Sequence, residues 1–342
     1  MFGLELSMIW AALLAVGVFL YVALDGFDLG VGILFPFAKD ARERDQMQAA
    51  IAPVWDGNET WLVLGGGGLL AAFPKAYAAL MPALYIPIIL MLLALIFRGV
   101  AFEFRHQARE RGRKWWTAAF SAGSIVAAAA QGLVLGGFIQ GVTVRNGAFA
   151  GGPFDWLTPF SLLVAAALVA GYALLGATWL VFKTQGELFD RARRWVTQLA
   201  LLVAMAMGAV SLATLGVDPR VTERWGLTMT SVDWPVFLRM APLPLAAIAL
   251  CFLLWRKWSR TPHLAPYLLT VALFLIGYIG LAVSLWPYIV PFAMTPAQAA
   301  AADNALAQML WGALPLLPLI LAYTAYVYWI FRAKVGEDAA YH

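Results

Sequence analysis

SMIWAALLAVGVFLYVALDGFDLGVGILFP, residues 7–36, runs for thirty residues with two charges, Asp25 and Asp28. About twenty apolar residues suffice for a helix to cross the hydrocarbon core of a bilayer. The run is too long and too uniformly apolar for a strand or a half-exposed helix of a soluble domain. It predicts a membrane-spanning helix. No Lys or Arg precedes it, and it continues well past the length of a signal-peptide core, so it is expected to be a permanent span.

Eight further stretches have the same character, at residues 48–73, 78–103, 116–141, 157–182, 195–216, 236–255, 264–290 and 308–331. The predicted fold is all-α, a single integral membrane domain of about nine transmembrane helices. Composition agrees. Of 342 residues 63% are hydrophobic and only 12% charged, about half the charge a soluble surface carries. Long runs rather than alternating short ones exclude a barrel. Fifteen Trp and eleven Tyr are enough to furnish aromatic belts at two membrane–water interfaces. The net charge of +4 is scattered over short loops, with no basic stripe for nucleic acid. Cys251 is the single cysteine, which excludes an internal disulfide and a thiolate metal site.

Orientation follows from the loops. Seventeen Lys and Arg fall on one side of the nine predicted spans, and five on the other: Lys75, Arg145, Arg220, Arg224 and Arg239. The positive-inside rule then places the N-terminus outside and the C-terminus, with His342, in the cytoplasm. An even number of spans would break that split. The second span is the weakest by hydropathy, because Pro53, Asp56, Asn58 and Glu59 lie in its first half.

Ionisable residues within spans cost about 2.5–3.5 kcal/mol each on insertion scales. Here they concentrate in the first three spans: DGFDLGVG (Asp25–Gly32), WDGNETWL (Trp55–Leu62) and FRGVAFEFR (Phe97–Arg105). Rises of about 1.5 Å per residue put Asp25, Asp56, Glu59 and Arg98 all in the inner half of the bilayer. Asp56 and Glu59, three apart, share a helix face that can turn toward Asp25. Asp25, Asp28, Asp56 and Glu59 cannot all be ionised beside Arg98 alone, so some are expected to hold protons, the chemistry of a relay. The competing reading is structural. Arg98 could pair with Asp25 or Asp56 and lock three helices together. Asp28 and Glu103 suit helix-end or snorkelling roles. The GGGG run, Gly65–Gly68, and Gly26, Gly30 and Gly32 suit close helix packing; GGGG lacks the lysine and hydroxyl of a phosphate loop.

Histidine is informative by its placement. His106 and His263 fall at helix ends and His342 is the last residue. A haem ligated by this chain alone is not expected.

Taken in order and spacing, the three segments resemble those of subunit II of the cytochrome bd-type quinol oxidases, including the cyanide-insensitive branch. The GELFDRAR loop (Gly186–Arg193) and the terminal YTAYVYW (Tyr323–Trp329) fit as well, so the resemblance covers the chain. It implies two four-helix bundles plus a peripheral helix, the first at about 1–141 with the polar cluster, the second with the peripheral helix at about 142–342. It implies a bacterial cytoplasmic membrane enzyme that oxidises quinol and reduces dioxygen to water. Haems b558, b595 and d would sit in a partner, subunit I, paired with this chain as a heterodimer. Small single-span subunits and a structural quinone or lipid occur in some members. The resemblance implies no catalytic and no cofactor or metal ligand here. It assigns Asp56 to the cytoplasmic proton pathway, to which Asp25 and Glu59 are natural additions, and Asp25, Trp55 and Arg98 to assembly or function, with Asp28 as a structural companion. A proton-coupled secondary transporter is the rival class. Against it, no broken-helix pair recurs in two halves. A pure scaffold is the third reading.

Overall fold

A computed structural model describes residues 5–228, 231–256 and 263–336. Lys257 and Arg260, two of the seventeen basic residues counted above, and the C-terminal His342 lie outside the described residues. The described residues are mostly helical. In order it forms α1 (Leu6–Leu34), α2 (Ala41–Ala49), α3 (Trp55–Ala72), α4 (Pro74–Gln107), α5 (Glu110–Gln140), α6 (Pro159–Lys183), α7 (Gly186–Leu215), α8 (Pro219–Arg224), α9 (Trp234–Met240), α10 (Pro242–Trp255), α11 (Ala265–Leu285), α12 (Pro296–Ala299) and α13 (Asp303–Ile330). One small hairpin, β1 (Val144–Arg145) with β2 (Ala148–Phe149), decorates the α5–α6 connection.

Among the described residues eight helical segments are long and apolar enough to cross a membrane, α9 and α10 counting as one. The ninth predicted crossing, α3, is eighteen residues long, about 27 Å, but polar in its first two turns. Its two ends meet opposite ends of the neighbouring helices. The α2 segment before it meets the Arg-rich ends of other helices, through Arg105–Asp45 and Trp179 Nε1–Ala50 O contacts. At its far end the Ala72 carbonyl accepts from Ala301 N at 2.9 Å, among the connections of the opposite face.

The predicted second span began at residue 48. Helix α3 begins only at Trp55, after α2 ends and a turn runs through Pro53. A proline inside the helix would lose a backbone bond and disfavour helical geometry at the residue before it. The segment read as a GELFDRAR loop is instead the first two turns of α7.

Helix α1 is the hub. It packs against α3 and α5 on one flank and α6 and α11 on the other, so both halves of the chain share one core. The approach of α1 to α6 is closest where glycines meet. A Cβ on Gly30 would collide with the Tyr172 carbonyl, and one on Gly176 with the Gly30 backbone. Indole and phenol donors fasten α1 further: Trp10 to Leu306 O at 3.0 Å, Tyr278 to Ala15 O at 3.0 Å and Tyr267 to Ala23 O at 3.2 Å. In hydrocarbon such side-chain bonds stand in for the hydrophobic effect, which gives helices no reason to associate there. Helix α13 is nearly bare, its apolar side chains Trp311, Leu319, Tyr323 and Trp329 all exposed.

Candidate functional site

Three helices bring their charged residues to one point. Arg98 of α4 donates from Nη1 to Asp25 Oδ1 of α1 at 3.0 Å and to Glu59 Oε1 of α3 at 2.9 Å. Arg98 and Asp25 are fully buried, while the Glu59 side chain keeps 29% of its exposure. The guanidinium also lies 5.9 Å from the Trp55 ring centre, and that ring packs on Phe102 at 4.8 Å. Residues Asp25, Glu59, Arg98 and Trp55, singled out from sequence, thus share one site.

Asp28 is neither a helix-end nor a snorkelling group. It is fully buried one turn from Asp25, and its Oδ2 accepts from Asn58 Nδ2 at 2.6 Å. Asn58 Nδ2 also reaches Leu24 O, and Asn58 Oδ1 accepts from Tyr328 of α13 at 2.9 Å. A second polar arm leaves the same region of α1. Tyr21, one turn from Asp25, accepts from Gln131 Nε2, and Gln131 Oε1 accepts from Tyr172, both at 2.7 Å. Sequence reasoning missed Asn58, Tyr328, Tyr21, Gln131 and Tyr172 as members of the site. Gln131, a polar residue in the middle of an Ala-rich span, was the available signal. The cluster still holds unpaired polar atoms among the described residues: Asp25 Oδ2, Asp28 Oδ1, and Nε and Nη2 of Arg98. Buried groups of this kind cost free energy unless water or a proton serves them.

Asp56 is placed differently. Three residues of helix turn through about 300°, so with Glu59 aimed at Arg98, Asp56 points off the chain. It is exposed, as are Gly57 and Thr60, and no hydrogen bond or ion pair holds it among the described residues. The same outer stripe of α3 continues through Val63, 74% exposed, and Leu70. The GGGG run divides. Gly68 and Gly65 pack on Leu14 and Val18 of α1, whereas a side chain on Gly66 or Gly67 would meet nothing. Half the run therefore serves packing inside the chain and half lines its open flank.

A second ionic cluster closes the Arg-rich face. Arg105 Nη1 donates to Asp45 Oδ1 and to Gln48 Oε1, both at 2.8 Å, and Nε donates to Thr117 at 3.0 Å. Arg113 Nη2 reaches both Asp45 oxygens at 2.5 and 2.6 Å. Burial alone would raise the Asp45 carboxyl, but hydrogen bonds from Arg113 and Arg105 outweigh it and hold the group below the ordinary carboxylate range. Lys183 Nζ donates to Phe331 O and Ala333 O at 2.5 and 2.7 Å, pinning the end of α13 to that of α6.

No set of three or more His, Cys, Asp and Glu among the described residues is arranged to hold a metal ion. His106 sits in the last turn of α4 and His263 just before α11. These positions do not fit axial ligation of a haem inside the bundle.

The sequence model of the family described as cytochrome bd terminal oxidase subunit II matches residues 6–331. Subunit 2 of the cytochrome bd-I ubiquinol oxidase of Escherichia coli (strain K12) is 31% identical, across 97% of this chain and 96% of its own length. Subunit 2 of the cytochrome bd ubiquinol oxidase of Bacillus subtilis (strain 168) is 30% identical, across 97% of each. Among solved structures, a chain of the bd oxidase from Geobacillus thermodenitrificans shares the fold. The TM-score is 0.73, covering 95% of this chain and 98% of that one, at 20% identity.

Proposed function

The chain belongs to the cytochrome bd terminal oxidase subunit II family, and on that footing we propose how it serves the enzyme. It is a multi-pass subunit of a quinol:oxygen oxidoreductase of the bacterial respiratory chain. The electron chemistry belongs to a partner, subunit I, which carries haems b558, b595 and d and oxidises quinol. This chain forms a heterodimer with it in the cytoplasmic membrane, N-terminus outside and C-terminus inside. The charge split of the loops supports that orientation.

The open stripe of α3 supports the docking face. Asp56 and Thr60 are exposed at membrane depth, where a charged or polar group against lipid is costly. A protein partner or a file of water must cover them. Helix α13 is tied to the buried side of α3 by the Tyr328–Asn58 bond, and its own outer face carries bare apolar side chains.

The mechanism is proton supply. Reduction of dioxygen to water consumes protons, and those taken from the cytoplasm add to the membrane potential. Asp56 receives them at the subunit seam. Glu59, half in the seam and half in the buried cluster, couples Asp56 to Asp25 through Arg98. Three carboxyls around one guanidinium leave a surplus of negative charge that only protons can balance. The observation that carries this reading is the position of Glu59, bonded to a fully buried Arg98 yet 29% exposed beside Asp56.

Asp56→Asn keeps shape and hydrogen bonding and removes titration. Loss of a positioned proton-transfer group is expected to lower turnover by roughly tenfold or more, with haem content and assembly near normal. A haem-replete Asp56→Asn enzyme with full turnover and unchanged proton uptake overturns the relay. Haem content falling in step with activity makes the residue structural.

A further inference from the structure

An apolar groove of about 520 Å³ opens between α1, α11 and the α8–α9 segment, remote from the charged cluster. Its walls are Val16 and Phe19 of α1 and Leu275, Ile279 and Val283 of α11. The Tyr278 hydroxyl in its wall is already spent on the Ala15 carbonyl at 3.0 Å. One charged side chain lines it: Arg224, the last residue of α8. Its Nε is buried with no hydrogen-bond partner among the described residues. Trp286 at the same rim is 51% exposed, and Trp234 nearby on α9 is 61% exposed. Exposed indoles of this kind mark the level of the lipid headgroups.

A greasy slot ending in an unpaired guanidinium at headgroup level is matched by one class of ligand. We propose that the groove binds a phospholipid of the leaflet on the arginine-poor face, one acyl chain between α1 and α11 and its phosphate on Arg224. A guanidinium presents parallel N–H donors that fit phosphate oxygens two at a time. The stem of the arginine lies along the apolar wall while its head reaches the interface. The slot is complementary in charge as well, since no acidic side chain lines it. The bound lipid fills the wedge between α1 and α11 beside the Tyr278–Ala15 bond.

The test is native mass spectrometry of the purified heterodimer through stepwise delipidation, with phosphorus quantified in parallel. Wild type is expected to retain one more phospholipid than Arg224→Gln at the point where annular lipid is gone. Ala282→Phe, which fills the groove and leaves Arg224 intact, is expected to lose the same lipid. It guards against misfolding of the arginine variant as the explanation. Equal phospholipid retention by wild type and both variants overturns the proposal. So does a retained quinone in place of the phospholipid, or a heterodimer structure with partner side chains seated in the groove.

Discussion

Helix α4 carries two buried arginines seven residues apart, about 10 Å along the axis and on nearly the same face, and the two are used in opposite ways. Arg98 has an excess of carboxylates: Asp25 and Glu59 on one nitrogen, with Asp28 close behind. Arg105 has the reverse, sharing the single carboxylate of Asp45 with Arg113. The lower cluster spends its charges on each other, Gln48 and Thr117 take remaining donors of Arg105, and one buried nitrogen, Arg113 Nε, is left over. The upper one leaves oxygens and nitrogens unpaired in the core among the described residues. Phe35, Phe102 and Phe120, all fully buried, fill the space between the two layers. A cluster whose charges pair off locks helices together. On the relay proposed above, a cluster with surplus carboxyl groups exchanges protons, and the aromatic layer leaves Glu59 as its partly exposed member.

The contrast is tested most severely at Arg98. Arg98→Met removes the ion-pair partner that Asp25 has among the described residues and leaves it in the core. Breaking a buried pair in this way costs about 3–5 kcal/mol, enough to deplete the assembled complex. Haem content and yield of the purified oxidase are the readout. Arg98→Met with Asp25→Asn is expected to recover part of the yield, because the stranded charge is gone. If the single variant assembles normally, the upper cluster is not a helix lock at all.

Arg105→Met is expected to do less, although Arg105 is equally buried. Asp45 retains Arg113, so what is lost is an unsatisfied Gln48 and Thr117 pair, on the order of 1–3 kcal/mol. Thermal unfolding of the purified complex measures it. A loss as large as that of Arg98→Met would erase the distinction between the two clusters.

The contrast was only half legible in the sequence. Asp25, Glu59 and Arg98 declared themselves, because a charge in an apolar run has no cheap explanation. Asn58 and Tyr328 did not. Neutral polar and phenolic side chains barely disturb hydropathy, and their bond joins residues 270 positions apart. Asp45 was hidden among loop charges, where sequence counts sign but not pairing. Pro53 could have fixed the start of α3, since it lies in the turn just before Trp55, but the apolar residues upstream drew the predicted boundary to residue 48. Asp56 was read onto the same face as Glu59, although the 60° between them decides which one enters the cluster and which faces the seam.

Acid separates the clusters a third way. The folded-state Asp45 carboxyl is held below its ordinary value of about 3.9. Its contribution to stability is therefore complete above that value and fades as pH falls through it toward the folded value. The melting temperature of wild type is expected to drop in this window relative to Asp45→Asn, which has nothing there to lose. Parallel curves for the two proteins would remove Asp45 from the account of acid stability.

The smallest effect is expected where the upper cluster touches the bare last helix. Tyr328→Phe keeps the ring against Phe27 and Trp179, at centroid distances of 6.4 and 5.9 Å, and deletes only the hydroxyl that donates to Asn58. A single neutral hydrogen bond is worth about 0.5–1.5 kcal/mol, so the fold should tolerate the change. Its consequence is orientation. Asn58 keeps its amide nitrogen on Asp28 Oδ2 and Leu24 O, and without Tyr328 its oxygen loses the donor that braces the other side of the amide. The hold on Asp28 persists with less support, and the polar arm next to Asp25 loosens slightly. Turnover should fall by a small factor with haem content unchanged, and Asn58→Asp combined with Tyr328→Phe should restore nothing, since a second carboxylate facing Asp28 repels it. If Tyr328→Phe instead detaches α13 and the partner is lost on purification, the bond serves docking, and the arm through Asn58 belongs with the locks rather than with the proton-bearing cluster.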